Sequence, residues 1–186
     1  EYPGAVSLFV HDTSRLSKYK KNIIIYGNTN FKKIFNLNYK NITLSKLRFS
    51  SQSKKYVNEF YKLEKKINSD LIEIHNRPNY LFTLIPKLGK KNYVIYFHND
   101  PLTMAGSKSI NERKYLLKNC YKIVFNSNWS KKRFLEGMQN KFINSDKLLV
   151  VFQSAKKEII NLRNKKKIIT FVGKLNKSKG YDLFGG

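Results

Sequence analysis

Short runs of Ile, Val, Leu, Tyr and Phe alternate with stretches of helical periodicity along most of the chain, and this alternation constrains the fold more than any other feature. The runs are Asn22–Tyr26 (NIIIY), Leu71–His75 (LIEIH), Tyr93–His98 (YVIYFH), Tyr121–Phe125 (YKIVF) and Leu148–Phe152 (LLVVF). Their mostly apolar character suits strands covered by helices on both faces. Strands alternating with helices predict an α/β protein: a Rossmann-like parallel sheet with helices on both faces.

The intervening segments carry their own punctuation. Tyr56, Phe60, Leu63 and Ile67 recur as one helical face, with Lys and Glu expected opposite, and Ser51 or Ser53 is placed to cap the helix. Pro78 suits a helix start and Gly89 a helix stop, while Pro86 is expected to bend or split the segment between them. Ser109–Lys118 forms a further helical pattern with Ile110, Lys114 and Leu117 on one side. Ser127 is a third cap, before a helix expected to bury Trp129, Phe134 and Leu135 and to stop at Gly137.

Residues 1–155 thus read as one Rossmann-like domain. Residues 156–166, polar and charged, read as a linker or exposed helix. A new strand, Lys167–Val172 (KIITFV), then opens a second domain over 167–186 that is expected to be truncated, since one strand and a helix start bury no core.

Composition narrows the function classes. Hydrophobic residues make up 41% and aromatics 14% of the 186 residues, which excludes a disordered chain. The lone Cys120 excludes an internal disulfide framework and points to a reducing compartment. No run reaches the roughly 18 apolar residues of a membrane span and no signal-peptide pattern is visible, so a cytoplasmic location is expected. The net charge of +25 predicts attraction to anionic surfaces. Only six basic residues are Arg, and Lys presents no bidentate fork to a phosphate or base edge. A solvated Lys surface and peripheral contact with an anionic membrane therefore both stand ahead of a specific nucleic-acid partner.

In open α/β sheets, ligands bind outside the carboxyl ends of the strands. The strand ends here are Gly27-Asn28, His75-Asn76-Arg77-Pro78, His98-Asn99-Asp100-Pro101 and Asn126-Ser127. Such a row of polar side chains suits a cleft for hydroxyl-bearing small molecules. His98 is the sharpest candidate, able to bond a hydroxyl or move a proton, with a main-chain partner as the bland alternative. Asp100 joins the cleft or shapes its turn. His75 lines the cleft or holds its loop, and Arg77 pairs with an anion or stays solvated. His11 reads as structural or exposed, and Trp129 as core.

No zinc spacing, Walker loop, complete GxGxxG fingerprint or GxSxG elbow occurs. Toward the C-terminus, Gly173-Lys174 and Lys179-Gly180 flank a turn whose cations and backbone N–H groups suit a diphosphate, against the alternative of a Lys-rich turn.

The segment FVGKLNKSKGYDLF (Phe171–Phe184) resembles the motif that opens the second domain of family 4 glycosyltransferases. HNRP (His75–Pro78), FHNDP (Phe97–Pro101) and NSNW (Asn126–Trp129) resemble the matching strand ends of the first domain, and Pro3-Gly4-Ala5 the end of its glycine-rich loop. The resemblance implies a GT-B fold, two Rossmann-like domains with the active site between them. It implies sugar transfer from a nucleotide-sugar with retention of configuration, without a bound metal or other cofactor.

Carried over by residue, His98 lies near the reacting sugar, and His75, Asn76, Arg77, Asn99, Asp100, Asn126 and Ser127 belong to the acceptor side. Gly4, Gly173, Lys174 and Lys179 face the donor diphosphate. Lys174 stands where the family has Arg, keeping the charge and losing the fork. The first strand before Glu1 and the donor domain beyond Gly186 are missing from the pattern, so the chain is expected to be a fragment that is inactive alone.

The function expected is transfer of a sugar to a glycan or lipid-linked acceptor in cell-surface polysaccharide or lipopolysaccharide synthesis. The alternatives are a GT-B nucleotide-sugar epimerase and a non-catalytic basic module binding nucleic acid or membrane.

Overall fold

A computed structural model describes residues 4–29, 37–44, 50–143, 145–154 and 183. The chain divides into two compact units, Glu1–Gln153 and Ser154–Gly186. The expected linker, the run Lys167–Val172 and the turn bearing Gly173, Lys174 and Lys179 lie outside the described residues.

Within the first unit the elements are α1 (Ala5–Leu16), β1 (Ile25–Gly27), β2 (Tyr39–Asn41), α2 (Gln52–Ile67), β3 (Leu71–His75), α3 (Leu81–Leu88), β4 (Asn92–Phe97), α4 (Ile110–Asn119), β5 (Lys122–Phe125), α5 (Asn128–Leu135) and β6 (Leu148–Val150). Single 3₁₀ turns at Lys20–Asn22, Pro78–Tyr80, Pro101–Thr103 and Asn140–Phe142 join several of them. β3, β4, β5 and β6 form a four-stranded parallel sheet in that order. The fold is α/β and Rossmann-like.

Register explains the core. Ile74 pairs with Ile95, Ile95 with Ile123, and Ile123 with Leu148, and all four are buried. Against this face pack Val57 of α2, Leu81 and Leu84 of α3, Leu116 and Leu117 of α4, and Phe134 of α5. Burying each such side chain favours the fold by roughly 1.5–3 kcal/mol. Side chains alternate across a strand, so His75, Tyr96 and His98 point to the opposite face. There the Phe9 ring of α1 meets all three, with centroids 6.0, 5.4 and 4.9 Å away. Helices therefore cover both faces, as the apolar strands require.

Several boundaries and faces differ from the sequence reading. Asn22 sits in a 3₁₀ turn, so β1 starts only at Ile25. β1 pairs with β2, a strand with no clear signal, in a separate parallel sheet. Between β1 and β3 runs a cleft of about 1890 Å³, flanked by α1 and α2. No described strand pairs with the outer edge of β3.

α3 runs through Pro86 without a break, because the ring removes one N–H from a helix already ending at Leu88. The buried side of α4 is Arg113, Leu116 and Leu117, while Ile110 and Lys114 are exposed. Arg113 can sit inside because its guanidinium donates to the carbonyls of Phe134 and Glu136, which end α5. Trp129, expected in the core, is 58% exposed, with the Arg133 guanidinium over its ring. Glu64, expected on the solvent side of α2, is 1% exposed.

The caps follow the sequence. The Ser51 and Ser127 side chains accept from Lys54 N and Ser130 N, and Ser109 forms a capping box with Glu112. Among the described residues no helix is long and apolar enough to cross a membrane.

Candidate functional site

β4 ends at Phe97, and the next residue, His98, is gripped from both neighbouring strands. Asn76, just past β3, adopts φ +52°, a left-handed conformation that Asn tolerates. This turns its side-chain oxygen to accept the His98 N–H at 2.8 Å. Asn126, just past β5, donates its amide to the His98 carbonyl at 2.8 Å. The Asn126 oxygen accepts from the Ser130 hydroxyl at 3.0 Å and lies 3.4 Å from the Ser127 hydroxyl. The two asparagines thus place His98 through its main chain, and their side-chain amides are engaged there.

The imidazole belongs to a longer chain of contacts. His98 Nε2 lies 2.9 Å from His75 Nδ1, and His75 Nε2 lies 2.8 Å from the Glu73 carboxylate. On the far side His98 Nδ1 lies 2.9 Å from the Gln153 amide nitrogen. Four side chains from β3, the end of β4 and the segment after β6 form a line, Glu73–His75–His98–Gln153. Tyr96 and Phe9 pack around the two imidazoles. His98 is 8% exposed, while Gln153 and Glu73 face solvent.

Burial, and secondarily the neighbouring His75, hold the His98 imidazole well below its ordinary value of 6.5, at about 4, against the opposing pull of Glu73. His98 is therefore neutral in the fold at neutral pH, while an unfolded chain protonates it below about 6.5. Between those two values the unfolded state binds more protons, so stability falls as pH falls. The His98 contribution at pH 5 is expected to be about 2 kcal/mol smaller than at pH 7.5. Urea midpoints of wild type and His98→Gln across that range check this: the wild-type slope should flatten in the variant, and an unchanged slope would count against it.

The other candidates divide. The Asp100 carboxylate accepts from Leu102 N at 3.0 Å and from Arg133 Nε and Nη2 at 3.3 and 3.2 Å. It shapes its turn and anchors α5, close to His98 in sequence but engaged elsewhere. Ser127 caps α5. Arg77 is exposed, its Nη1 donating to the Asn76 carbonyl at 3.1 Å, and Asn99 is exposed. Gly4 precedes α1 in an extended conformation and lines the cleft between β1 and β3, as do His75 and Arg77. His11 contacts Asp12 at 2.8 Å.

Two members of the line were not anticipated. Glu73 had a signal, as the one acidic residue of β3 and two positions before His75, which puts both on one face. Gln153 had none, since 55 residues separate it from His98. Among the described residues no group of three or more His, Cys, Asp or Glu side chains is arranged to hold a metal ion. The site can accept or donate hydrogen bonds to hydroxyls around a neutral, oriented imidazole. No protein-family model matches this chain, and no significant match appears among curated proteins.

Proposed function

We propose that the protein is the acceptor-side part of a retaining nucleotide-sugar glycosyltransferase. The observation that carries this reading is the convergence at His98: the segments HNRP, FHNDP and NSNW, which bear the resemblance, meet there through Asn76 and Asn126. A neutral imidazole held at strand carboxyl ends suits a sugar hydroxyl better than an anion. In this reading Arg77 and Asn99, exposed beside the site, contact the acceptor, and His98 contacts the transferred sugar. Gly4, Gly173, Lys174 and Lys179 contact the donor diphosphate, and its negative charge is stabilised by the lysines as the nucleotide leaves. No cofactor beyond the nucleotide-sugar co-substrate is required.

The polypeptide carrying this chain is expected to release a nucleoside diphosphate from one member of a nucleotide-sugar panel. His98→Ala should lower kcat/KM by about 10²-fold while leaving the protein folded. Absence of turnover or binding with every nucleotide-sugar, or full activity in His98→Ala, would remove the reading.

The charge of +25 supports peripheral work at the cytoplasmic face of a membrane on a glycan or lipid-linked acceptor. Sedimentation with vesicles containing phosphatidylserine should be strong at low salt and largely lost at about 0.5 M, where screening shortens to a few ångströms. Equal binding to neutral vesicles would contradict it.

A further inference from the structure

The line Glu73–His75–His98–Gln153 has a direction. A carboxylate only accepts, so the Glu73 oxygen accepts a hydrogen bond from His75 Nε2–H. A neutral His75 then has only a lone pair at Nδ1, which must accept from His98 Nε2–H. A neutral His98 is left with a lone pair at Nδ1, which accepts from the Gln153 amide N–H. This is the one arrangement of neutral rings that satisfies every contact, and it starts at the carboxylate.

Gln153 is the loosest member. It lies beyond the end of β6 at Val150, belongs to no ladder and is exposed. Moving its side chain breaks no strand pairing and uncovers His98 Nδ1, whereas His75 and Glu73 are built into β3.

We propose that His98 presents Nδ1 as a fixed hydrogen-bond acceptor, that Glu73 and His75 are the positioning residues that hold it in this tautomer, and that the Gln153 amide occupies the place of a ligand hydroxyl. The group bound there is an O–H or N–H donor; a carboxylate or phosphate oxygen would meet a lone pair with a lone pair. The ligand assignment rests on the proposed function, in which His98 faces the sugar. The tautomer does not.

The test uses the full chain labelled with ¹⁵N and long-range proton–nitrogen correlation at neutral pH, with only three histidines to assign. In the wild type, His98 should show a protonated Nε2 and a bare Nδ1. Glu73→Ala, at an exposed side chain, and His75→Phe, which keeps the ring, should each move the Nδ1 signal toward that of an N–H nitrogen. Gln153→Ala should keep the wild-type tautomer. Gln153→Glu puts a carboxylate, which cannot donate, at an exposed position beside Nδ1, so Nδ1 should stay bare while the carboxylate turns to solvent.

A wild-type His98 protonated at Nδ1 would overturn the proposal. So would spectra unchanged by both Glu73→Ala and His75→Phe, or an Nδ1 converted to N–H in Gln153→Glu. The predicted tautomer in a protein that binds no nucleotide-sugar would sink the glycosyltransferase reading and leave the positioning line intact.

Discussion

Glu64→Gln is expected to lower the free energy of unfolding by about 3 kcal/mol, the low end for breaking a buried ion pair. Glu64 sits in the last turn of α2 and is 1% exposed. Its carboxylate lies 2.7 Å from the Lys91 ammonium just before β4, and also accepts the Ser69 N–H at 2.7 Å and the Ser69 hydroxyl at 2.8 Å. It therefore ties the end of α2 to the entries of β3 and β4. The amide keeps the volume but removes the charge, leaving Lys91, only 12% exposed, without its counter-ion. Urea denaturation with an unchanged slope and a lowered midpoint would register the loss. The double variant Glu64→Met with Lys91→Met should recover most of it, because an apolar pair needs no compensation for desolvation. If the double variant were as unstable as the single, the cost would lie in the Ser69 contacts instead.

Gly106→Ala is expected to cost about 4 kcal/mol, from left-handed strain and overpacking together. Gly106 has φ +94°, and a methyl group built there would lie 2.4 Å from Asn79 N and 2.6 Å from Asn79 Cα. Both obstacles are main chain, in the 3₁₀ turn that follows HNRP, so no rotamer change relieves them. Gly89 supplies the control. It has φ +72° and ψ −155°, backbone that is nearly reserved for glycine, but nothing lies within 4 Å, so Gly89→Ala should cost about 2 kcal/mol from conformational strain alone. Thermal unfolding of the two variants separates conformation from collision: equal losses would show that the close approach to Asn79 is relieved by loop movement. Displacing this turn should also disturb Asn76 and its hold on His98, so Gly106→Ala should broaden the His98 ring signals where Gly89→Ala does not.

Much of the architecture was legible from local signals. Apolar runs recover β3 to β6 within a few residues, and Ser51 and Ser127 cap the helices their positions suggest. Periodicity and capping are properties of neighbouring residues, so they survive without knowledge of the fold. His98 was legible too, as a polar residue closing an apolar strand. Periodicity failed where a distant partner changed the meaning of a residue. Glu64 is inside because Lys91 meets it, and Arg113 is inside because α5 offers its terminal carbonyls. Trp129 is outside because the side of α5 turned inward is that of Ser130 and Phe134, with Phe134 packed on Phe97 and Phe125.

The chain's order of residues by itself determined an α/β fold and the places where strands end in polar groups, since alternation and turn chemistry are written locally. Only the tertiary structure decided what those ends do. Parallel pairing brings Asn76, His98 and Asn126 side by side, and the return of the chain after β6 sets Gln153 on the imidazole. A hydrogen-bonded line between residues 73 and 153 depends on strand order and register, which no single segment encodes.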